Sequence, residues 1–399
     1  MPPSTFNLQH TAPAPLAPEA LEQLVQKAES AGASDIHLQM RGQSAEVSFR
    51  LDGVLAPVTT LAEPLAERVF GRIKFLARLK TYQDSMPQDG RIDAAEAKSR
   101  NDIRVATYPT VTGEKIVLRL FQTSVVLGLA ELGLPEQAWA ELENFLRQPA
   151  GLLLLTGPAG SGKTTTIYAC LRHLAETGGR HIITIEDPVE QIVPGVMQTE
   201  VSEPRGLDFA KAARHLLRQD PQVLVIGEIR DEETANIAVR AALTGHQVIA
   251  TLHAGSCRGV FERLHVMCRD HSAVASAVEL VLNQRLIRKV CAACSGTGVS
   301  PVQWASHATS DIATHSSPPP DRRDACPTTT LPCPACLRTG YHGRVPVIEW
   351  LKLNDTLRAS LRQQDFAALQ PQQTLADEVR RLIASGVTNA VEQLRIFGL

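Results

Sequence analysis

A glycine-rich stretch at residues 157–164, GPAGSGKT, has the residue types and spacing of a phosphate-binding loop. Gly157 and Gly162 allow backbone N–H groups to surround a phosphate, and the predicted helix that follows adds the positive end of its dipole. Lys163 is expected to reach the β- and γ-phosphates of a nucleotide, and the Thr164 hydroxyl to hold Mg²⁺. No N-K-x-D sequence typical of guanine-specific proteins is present, so ATP is favoured. The predicted nucleotide-binding residues are Gly157, Pro158, Ala159, Gly160, Ser161, Gly162, Lys163, Thr164 and Thr165.

Four further polar side chains flank apolar runs that predict buried strands. Glu228 follows the run VLVIG, and Glu190 closes the sequence ITIEDPVE. His246 and His253 flank the run QVIATL. Ligands of open parallel sheets bind beyond the strand ends, where an acid can act on Mg²⁺ or on the attacking water. A single histidine at a strand end is more often structural, but convergence on one phosphate site makes all four side chains catalytic candidates.

Two cysteine pairs, Cys291-Ala-Ala-Cys294 and Cys333-Pro-Ala-Cys336, have the spacing of a tetrahedral Zn²⁺ site. The alternative is a set of four inert thiols. Cys326 lies between the pairs, in a Ser-, Thr- and Pro-rich stretch, and is not expected to be a ligand.

The elements that must position these residues fall into two α/β patterns. Residues 20–122 combine a helical segment with hairpin patterns, whereas residues 141–290 alternate apolar strands with amphipathic helices, as parallel sheets covered by helices do. The predicted parts are a Pro/Ala-rich leader (1–19), an N-terminal α+β domain (20–122), a linker (123–140), an ATPase core (141–290), a zinc knuckle with a disordered insertion at 295–332 (291–340), and a helical C-terminal domain (341–399).

Composition argues against nucleic acid and against membrane insertion. The formal net charge is −2 and aromatic residues make up only 4% of the 399 residues, so neither a basic field nor a stacking surface is expected. No apolar run approaches the roughly 20 residues of a membrane span, and the first residues lack the pattern of a secretory signal. These features predict a cytoplasmic protein.

The order and spacing of four stretches resemble the secretion ATPases, the hexameric motors of type II secretion and type IV pilus assembly. The stretches are GPAGSGKTTT, ITIEDPVE, LLRQDPQVLVIGEIRD and TGHQVIATLH. Further stretches, among them ASDIHLQ, FRLDGVL and TGYHGR, are also similar to that family. The resemblance implies a RecA-like P-loop core preceded by a smaller, PAS-like α+β domain, with a tetracysteine zinc knuckle and a helical C-terminal part.

The resemblance also implies a role for each candidate residue. Lys163 and Thr164 would bind ATP and Mg²⁺, Glu228 would be the Walker B acid, and His253 would sense the γ-phosphate. Glu190 would be the base that positions water. Two arginines of the preceding domain would reach a nucleotide, in several members across the subunit boundary; they are Arg104 and Arg119.

The implied protein is a homo-hexamer that hydrolyses ATP with Mg²⁺ and contains Zn²⁺. It would sit in the cytoplasm, held at the inner membrane only through a platform protein, and power assembly of a pilus or pseudopilus for type II secretion, type IV pilus biogenesis or DNA uptake. The sequence departs from the family where Gln39-Met40 replaces Glu-Pro, where Ser48 replaces an arginine, and where the extra N-terminal domain of many members is expected to be missing.

Two functions of other classes remain as alternatives. RecA-like cores and zinc ribbons also occur in nucleic-acid translocases, although the charge balance and low aromatic content disfavour that class. A non-hydrolysing scaffold is the other alternative, and the presence of Lys163, Glu190, Glu228 and His253 disfavours it.

Overall fold

The computed structural model describes residues 16–120, 127–202, 206–294, 333 and 335–398. The chain divides into two compact units. The first comprises Met1–Val125 and Arg288–Gly343, and the second comprises Val126–Ile287 and Arg344–Leu399. No helix in the described ranges combines the length and the apolar character needed to cross a bilayer.

The first unit is built on a six-stranded sheet in the spatial order β3-β2-β1-β6-β5-β4, in which neighbouring strands are antiparallel. The strands are β1 (Asp35–Arg41), β2 (Ser44–Leu51), β3 (Val54–Ala62), β4 (Gln88–Ile92), β5 (Ile103–Thr110) and β6 (Gly113–Leu120). The helices are α1 (Ala17–Ser30), α2 (Leu65–Leu76) and α3 (Ala94–Ala97). This architecture confirms the predicted α+β class, with hairpin turns at Asp52-Gly53 and Val111-Thr112.

One face of this sheet packs on an apolar core, because side chains alternate between the two faces of a strand. In β5, Ile103 and Val105 are buried whereas Arg104 between them is exposed. The opposite face therefore presents polar side chains.

The second unit contains a seven-stranded sheet in the order β13-β12-β7-β11-β10-β8-β9. Its strands are β7 (Gly151–Thr156), β8 (Ile182–Glu186), β9 (Val196–Glu200), β10 (Val223–Ile226), β11 (Gln247–Leu252), β12 (Val278–Val290) and β13 (Tyr341–Lys352). All pairs from β12 to β9 are parallel. Every residue of β7, β8, β10 and β11 is buried, as expected for a parallel sheet covered on both faces.

Helices cover both faces of this sheet. They are α4 (Glu136–Arg147), α5 (Lys163–Thr177), α6 (Phe209–Leu216), α7 (Glu232–Leu243), α8 (Cys257–Met267), α9 (His271–Ala277), α10 (Asp355–Arg362), α11 (Leu375–Ala384) and α12 (Ala390–Phe397). Alternate residues of β7 enter two separate apolar clusters: Leu152 and Leu154 pack in one, Leu153 and Leu155 in the other. The RecA-like α/β core is thereby confirmed.

Several predicted boundaries need correction. The helical assignment of residues 341–352 is wrong, because this stretch, YHGRVPVIEWLK, forms β13 at the sheet edge, and helix resumes only at Asp355. Helix α4 begins within the predicted linker, and α1 begins within the predicted leader. The predicted insertion at 295–332 lies outside the described residues, so its disorder remains a prediction.

Candidate active site

The phosphate loop connects β7 to α5, and a neighbouring strand closes off its inner side. Gly157 has a φ of +138°, and a Cβ at this position would lie 2.3 Å from the carbonyl oxygen of Gln284 on β12. A Cβ at Gly162, where φ is +91°, would lie 2.7 Å from Gln284 Nε2. Only glycine fits at both positions, so the loop backbone can follow a path that leaves its amides available to a phosphate.

The polar side chains of the loop are arranged as an anion site requires. Lys163 Nζ donates to the carbonyl oxygens of Gly157 at 2.8 Å and Pro158 at 3.0 Å. Among the described residues, the Ser161 hydroxyl is buried and has no hydrogen-bond partner. A buried hydroxyl of this kind fits a phosphate oxygen as its acceptor. The rest of the loop, Pro158, Ala159, Gly160, Thr164 and Thr165, is exposed.

Electrostatics at Lys163 favour an anionic ligand. Burial lowers the pKa of Lys163, the nearby Glu228 carboxylate opposes that shift, and Arg285 adds to it. A partly buried ammonium group gains most from a negative charge placed beside it, because the local dielectric constant is lower than that of water.

Glu228 lies just beyond the carboxyl end of β10 and contacts His253 and Arg230. Its Oε1 is 3.0 Å from His253 Nε2, and its Oε2 accepts from Arg230 Nε at 2.7 Å. Arg230 also donates to Asp187 Oδ2 at 3.3 Å. The bond to Glu228 raises the pKa of Arg230, which keeps this guanidinium charged.

His253 connects the acid to the phosphate loop. Its Nδ1 lies 3.2 Å from the carbonyl oxygen of Gly157, the same oxygen that accepts from Lys163. Both ring contacts are to acceptors, so both are hydrogen bonds only when both ring nitrogens carry protons. Lys163 and His253 thus meet at one loop carbonyl, and Glu228 contacts the other ring nitrogen of His253, so the three side chains lie together at the phosphate loop.

Glu190 lies in the loop after β8, where its backbone N–H donates to the Tyr168 hydroxyl at 3.0 Å. Burial of the carboxyl group, followed by repulsion from Glu186, raises the pKa of Glu190. A raised pKa makes a carboxylate a better proton acceptor, which suits the role expected of this residue.

The prediction that His246 belongs to the phosphate site is wrong. His246 precedes β11, and the carbonyl oxygen of His246 accepts from the N–H of Gly151 at the start of β7. From this end β7 and β11 run in parallel for about 20 Å. His253 and the phosphate loop lie at the opposite end. The His246 Nδ1 instead lies 3.0 Å from the carbonyl oxygen of Ala241, a structural contact.

The two predicted arginines of the first unit stand directly opposite each other in the sheet. Arg104 of β5 pairs in register with Arg119 of β6, and cross-strand partners lie on the same face. The register places more charged residues on this line across five strands. We call them the arginine row: Arg91, Arg104, Arg119, Asp35 and Arg50.

Asp35 organises one end of the row. Its buried carboxylate contacts Arg119 Nε at 3.1 Å and Arg50 Nε at 3.3 Å, one through each oxygen. At the other end, Arg91 pairs with Asp102. Arg91, Arg104 and Arg119 are exposed, so the row is an accessible cationic line suited to a phosphate-bearing ligand.

Sequence reasoning missed Gln284 and Arg285 on β12. Arg285 donates to three neutral oxygens: the side chain of Asn283 at 2.7 Å and the backbone of Gln284 at 3.0 Å and Gly255 at 3.1 Å. It therefore ties the loop that follows His253 to the strand behind the phosphate loop. The signal that could have revealed these residues is a polar triplet, Asn-Gln-Arg, that interrupts β12 directly after the apolar run LVL.

The four cysteines predicted to bind zinc lie together. Their sulfur atoms are all within 4.8 Å of one another, with Sγ separations of 4.0 Å between Cys291 and Cys333 and 3.7 Å between Cys294 and Cys336. Zn–S bonds of about 2.3 Å in a tetrahedron place sulfur atoms about 3.8 Å apart, so the set fits Zn²⁺. Backbone N–H donation from Cys336 lowers the pKa of Cys333 to about 7, which favours the thiolate that a metal needs.

Comparison with known proteins identifies the family and supports the fold. The family model described as type II/IV secretion system protein matches residues 10–396. The putative type II secretion system protein E of Escherichia coli K12 is 38% identical over 362 residues, covering 90% of this chain and 71% of that protein. The type IV pilus assembly ATPase TfpB of Acinetobacter baylyi is 37% identical, covering 94% of this chain and 64% of that protein.

A solved structure shares the fold over nearly the whole chain. The Legionella pneumophila ATPase DotB superposes with a TM-score of 0.66 at 20% identity, covering 98% of this chain and 99% of that one. This likeness supports the α/β fold described above. We conclude that the chain belongs to the type II/IV secretion system protein family and is an ATPase.

Proposed function

We propose that this chain is the subunit of a hexameric motor that hydrolyses ATP with Mg²⁺ to power assembly of a pilus or pseudopilus, in type II secretion, type IV pilus biogenesis or DNA uptake. Relatives named type II secretion system protein E and type IV pilus assembly ATPase support the process. The motor would work in the cytoplasm, attached at the inner membrane through a platform protein.

One observation carries the proposal: Lys163 and His253 both contact the carbonyl oxygen of Gly157, and the other ring nitrogen of His253 contacts Glu228. Groups that contact the same loop respond together when a phosphate group occupies it. A shift of the phosphate loop on nucleotide binding would therefore move His253 and, through it, Glu228. A motor requires such a link between nucleotide binding and movement of the protein.

Each candidate residue has a proposed role. The loop amides, Lys163 and the Ser161 hydroxyl would bind phosphate oxygens, and Thr164 at the first turn of α5 would supply a hydroxyl to Mg²⁺. The ion would neutralise charge on the transferred phosphoryl group. Glu190 would accept a proton from the attacking water, and Glu228, held by His253, would orient the groups around the γ-phosphate.

The arginine row is proposed to contact a nucleotide phosphate, with Arg91 and Arg50 extending the pair predicted from the sequence. Guanidinium groups bind phosphate oxygens with two N–H groups at once, and Asp35 fixes two of the side chains in place. An arginine supplied by a neighbouring subunit would make hydrolysis depend on ring formation.

Steady-state ATP turnover tests the catalytic part. Lys163→Ala should abolish turnover because the transferring phosphoryl group loses its nearest cation. Glu228→Gln should lower kcat by about 100-fold or more while nucleotide still binds. Glu262→Gln, a surface acid paired with Arg258 on α8, is the matched control and should leave turnover unchanged. Near wild-type turnover of Glu228→Gln would exclude its catalytic role.

Analytical ultracentrifugation tests the ring. With a non-hydrolysable ATP analogue the protein should sediment as a hexamer. A monomer in every nucleotide state would contradict the motor, whatever the turnover of the variants.

A further inference from the structure

Tyr168 lies on α5, five residues after Lys163, and its side chain is only 2% exposed. Its hydroxyl donates to the carboxylate of Glu186 at the end of β8. The same oxygen accepts from the backbone N–H of Glu190 at 3.0 Å and of Gln191 at 3.1 Å. The single donor and both acceptor sites of the hydroxyl are therefore used.

The carboxylate on which this arrangement rests is itself firmly held. Glu186 is 8% exposed, and its Oε1 accepts from Thr184 Oγ1 at 2.5 Å and from Gln198 Nε2 at 3.0 Å. Gln198 also donates to the carbonyl oxygen of Gln191 at 2.9 Å, on the same loop as Glu190. Burial, reinforced by the Glu186 bond, raises the pKa of Tyr168 to about 12, so the hydroxyl remains a donor at neutral pH.

We propose that Tyr168 is a positioning residue that sets the Glu190 carboxylate relative to the phosphate loop. The inference rests on the proposed role of Glu190 as the base. Helix α5 begins at Lys163 and carries Tyr168 little more than one turn later, so phosphate loop and hydroxyl belong to one rigid element. The hydroxyl holds the N–H of Glu190 itself, so the base follows any movement of that helix.

This arrangement couples phosphate binding to proton transfer without direct contact between Lys163 and Glu190. A helix that shifts when the loop closes on phosphates would carry the loop after β8 with it. Removal of the hydroxyl would leave two N–H groups and one carboxylate oxygen without this partner. The backbone of Glu190 would lose its bond to α5, while the bond from Arg172 of α5 to Gln191 Oε1 at 3.2 Å would remain.

The test begins with Tyr168→Phe, which removes one oxygen atom and keeps the ring. Because a misplacement of about 1 Å can cost 100-fold in rate, we expect kcat to fall roughly 10- to 100-fold while KM and ADP affinity change less than about 3-fold. Thr184→Val is the matched control, since it removes another hydroxyl from Glu186 but none from the Glu190 loop. Glu186 keeps its bonds from Gln198 and Tyr168 in this variant, so kcat should remain within about 3-fold of wild type. Equal losses in both variants would overturn the inference.

A double-mutant cycle separates positioning from a general loss of structure. In a Glu190→Gln background, measured in single-turnover experiments, Tyr168→Phe should cause no further loss. If the rate loss of the double variant equals the product of the two single losses, Tyr168 acts independently of Glu190, and the inference fails. Normal turnover of Glu190→Gln alone would remove the base assignment and the inference with it, whereas normal turnover of Tyr168→Phe beside an inactive Glu190→Gln removes only the positioning role.

Hydrogen–deuterium exchange gives a readout independent of turnover. The amides of Glu190 and Gln191 should exchange faster in Tyr168→Phe than in wild type, and at the wild-type rate in Thr184→Val. Unchanged exchange in Tyr168→Phe would contradict the proposed connection.

Discussion

Gly157→Ala tests how the phosphate loop is shaped. The new Cβ would lie 2.3 Å from the carbonyl oxygen of Gln284 and 2.7 Å from Ser161 Oγ. The first neighbour is the backbone of a buried strand and cannot rotate away as a side chain can. The φ of +138° adds backbone strain for any residue with a Cβ.

The two contributions give the expected magnitude. An unfavourable backbone conformation costs about 1–3 kcal/mol, and an overpacked site costs about 1–3 kcal/mol more. We therefore expect Gly157→Ala to lower the free energy of unfolding by about 2–6 kcal/mol. Gly160→Ala is the matched control within the same loop: its φ is +73°, and no heavy atom lies within 4 Å of the added Cβ. Backbone strain alone predicts a loss of about 1–2 kcal/mol there.

Thermal denaturation and ADP titration of the two variants measure these effects. Gly157→Ala should melt several degrees below Gly160→Ala, at about 2–4 °C per kcal/mol, and should bind ADP far more weakly. Gly160→Ala should retain binding. Equal melting temperatures and equal affinities would refute the reasoning, because the close approach of Gln284 would then have no consequence for the loop.

Three further outcomes are expected. Purified protein should contain about one zinc per chain by metal analysis, and Cys333→Ser should lower both zinc content and melting temperature; zinc-free native protein would contradict this. Lys163→Ala mixed with Arg104→Ala/Arg119→Ala should regain part of the ATPase activity that each lacks, if subunits exchange; activity that stays at background despite exchange would place the arginines within their own chain. Because its pKa is raised, Glu190 becomes protonated at a higher pH than an ordinary glutamate, whose pKa is about 4.3. On acidification kcat should therefore begin to fall above that pH, which a pH profile of kcat measures. A fall that begins only at or below that pH would contradict the prediction.

The sequence predicted the parts of the site that are formed by short contiguous stretches, namely the phosphate loop and the two cysteine turns. The phosphate loop is a contiguous stretch whose glycines, lysine and helix start impose one conformation, and the two C-x₂-C turns already bring each cysteine pair within reach of one metal ion. Each of these short stretches could be identified from its own residues, although the two cysteine pairs meet only because the fold brings them together.

Predictions that depended on chain direction or strand neighbours were less complete. The sequence shows that His246 and His253 flank one strand, but only the parallel order determines which end meets the phosphate loop. Arg91 was missed because its neighbour in the sheet, Arg104, is distant in sequence and becomes adjacent only through the register of β4 and β5. The assignment of 341–352 as helix failed because this stretch becomes the edge strand β13 by pairing with β12. Its sequence alone did not predict an extended structure.

The arginine row places like charges beside one another in the sheet of the first unit. Arg104 faces Arg91 on one side and Arg119 on the other, and like charges directly opposite each other in a sheet are destabilising. Asp35 offsets part of this charge at one end of the row, and Asp102 does so at the other. If the row binds a polyanion as proposed, the ligand would reduce the remaining repulsion, and ligand binding and folding of the unit would be thermodynamically linked.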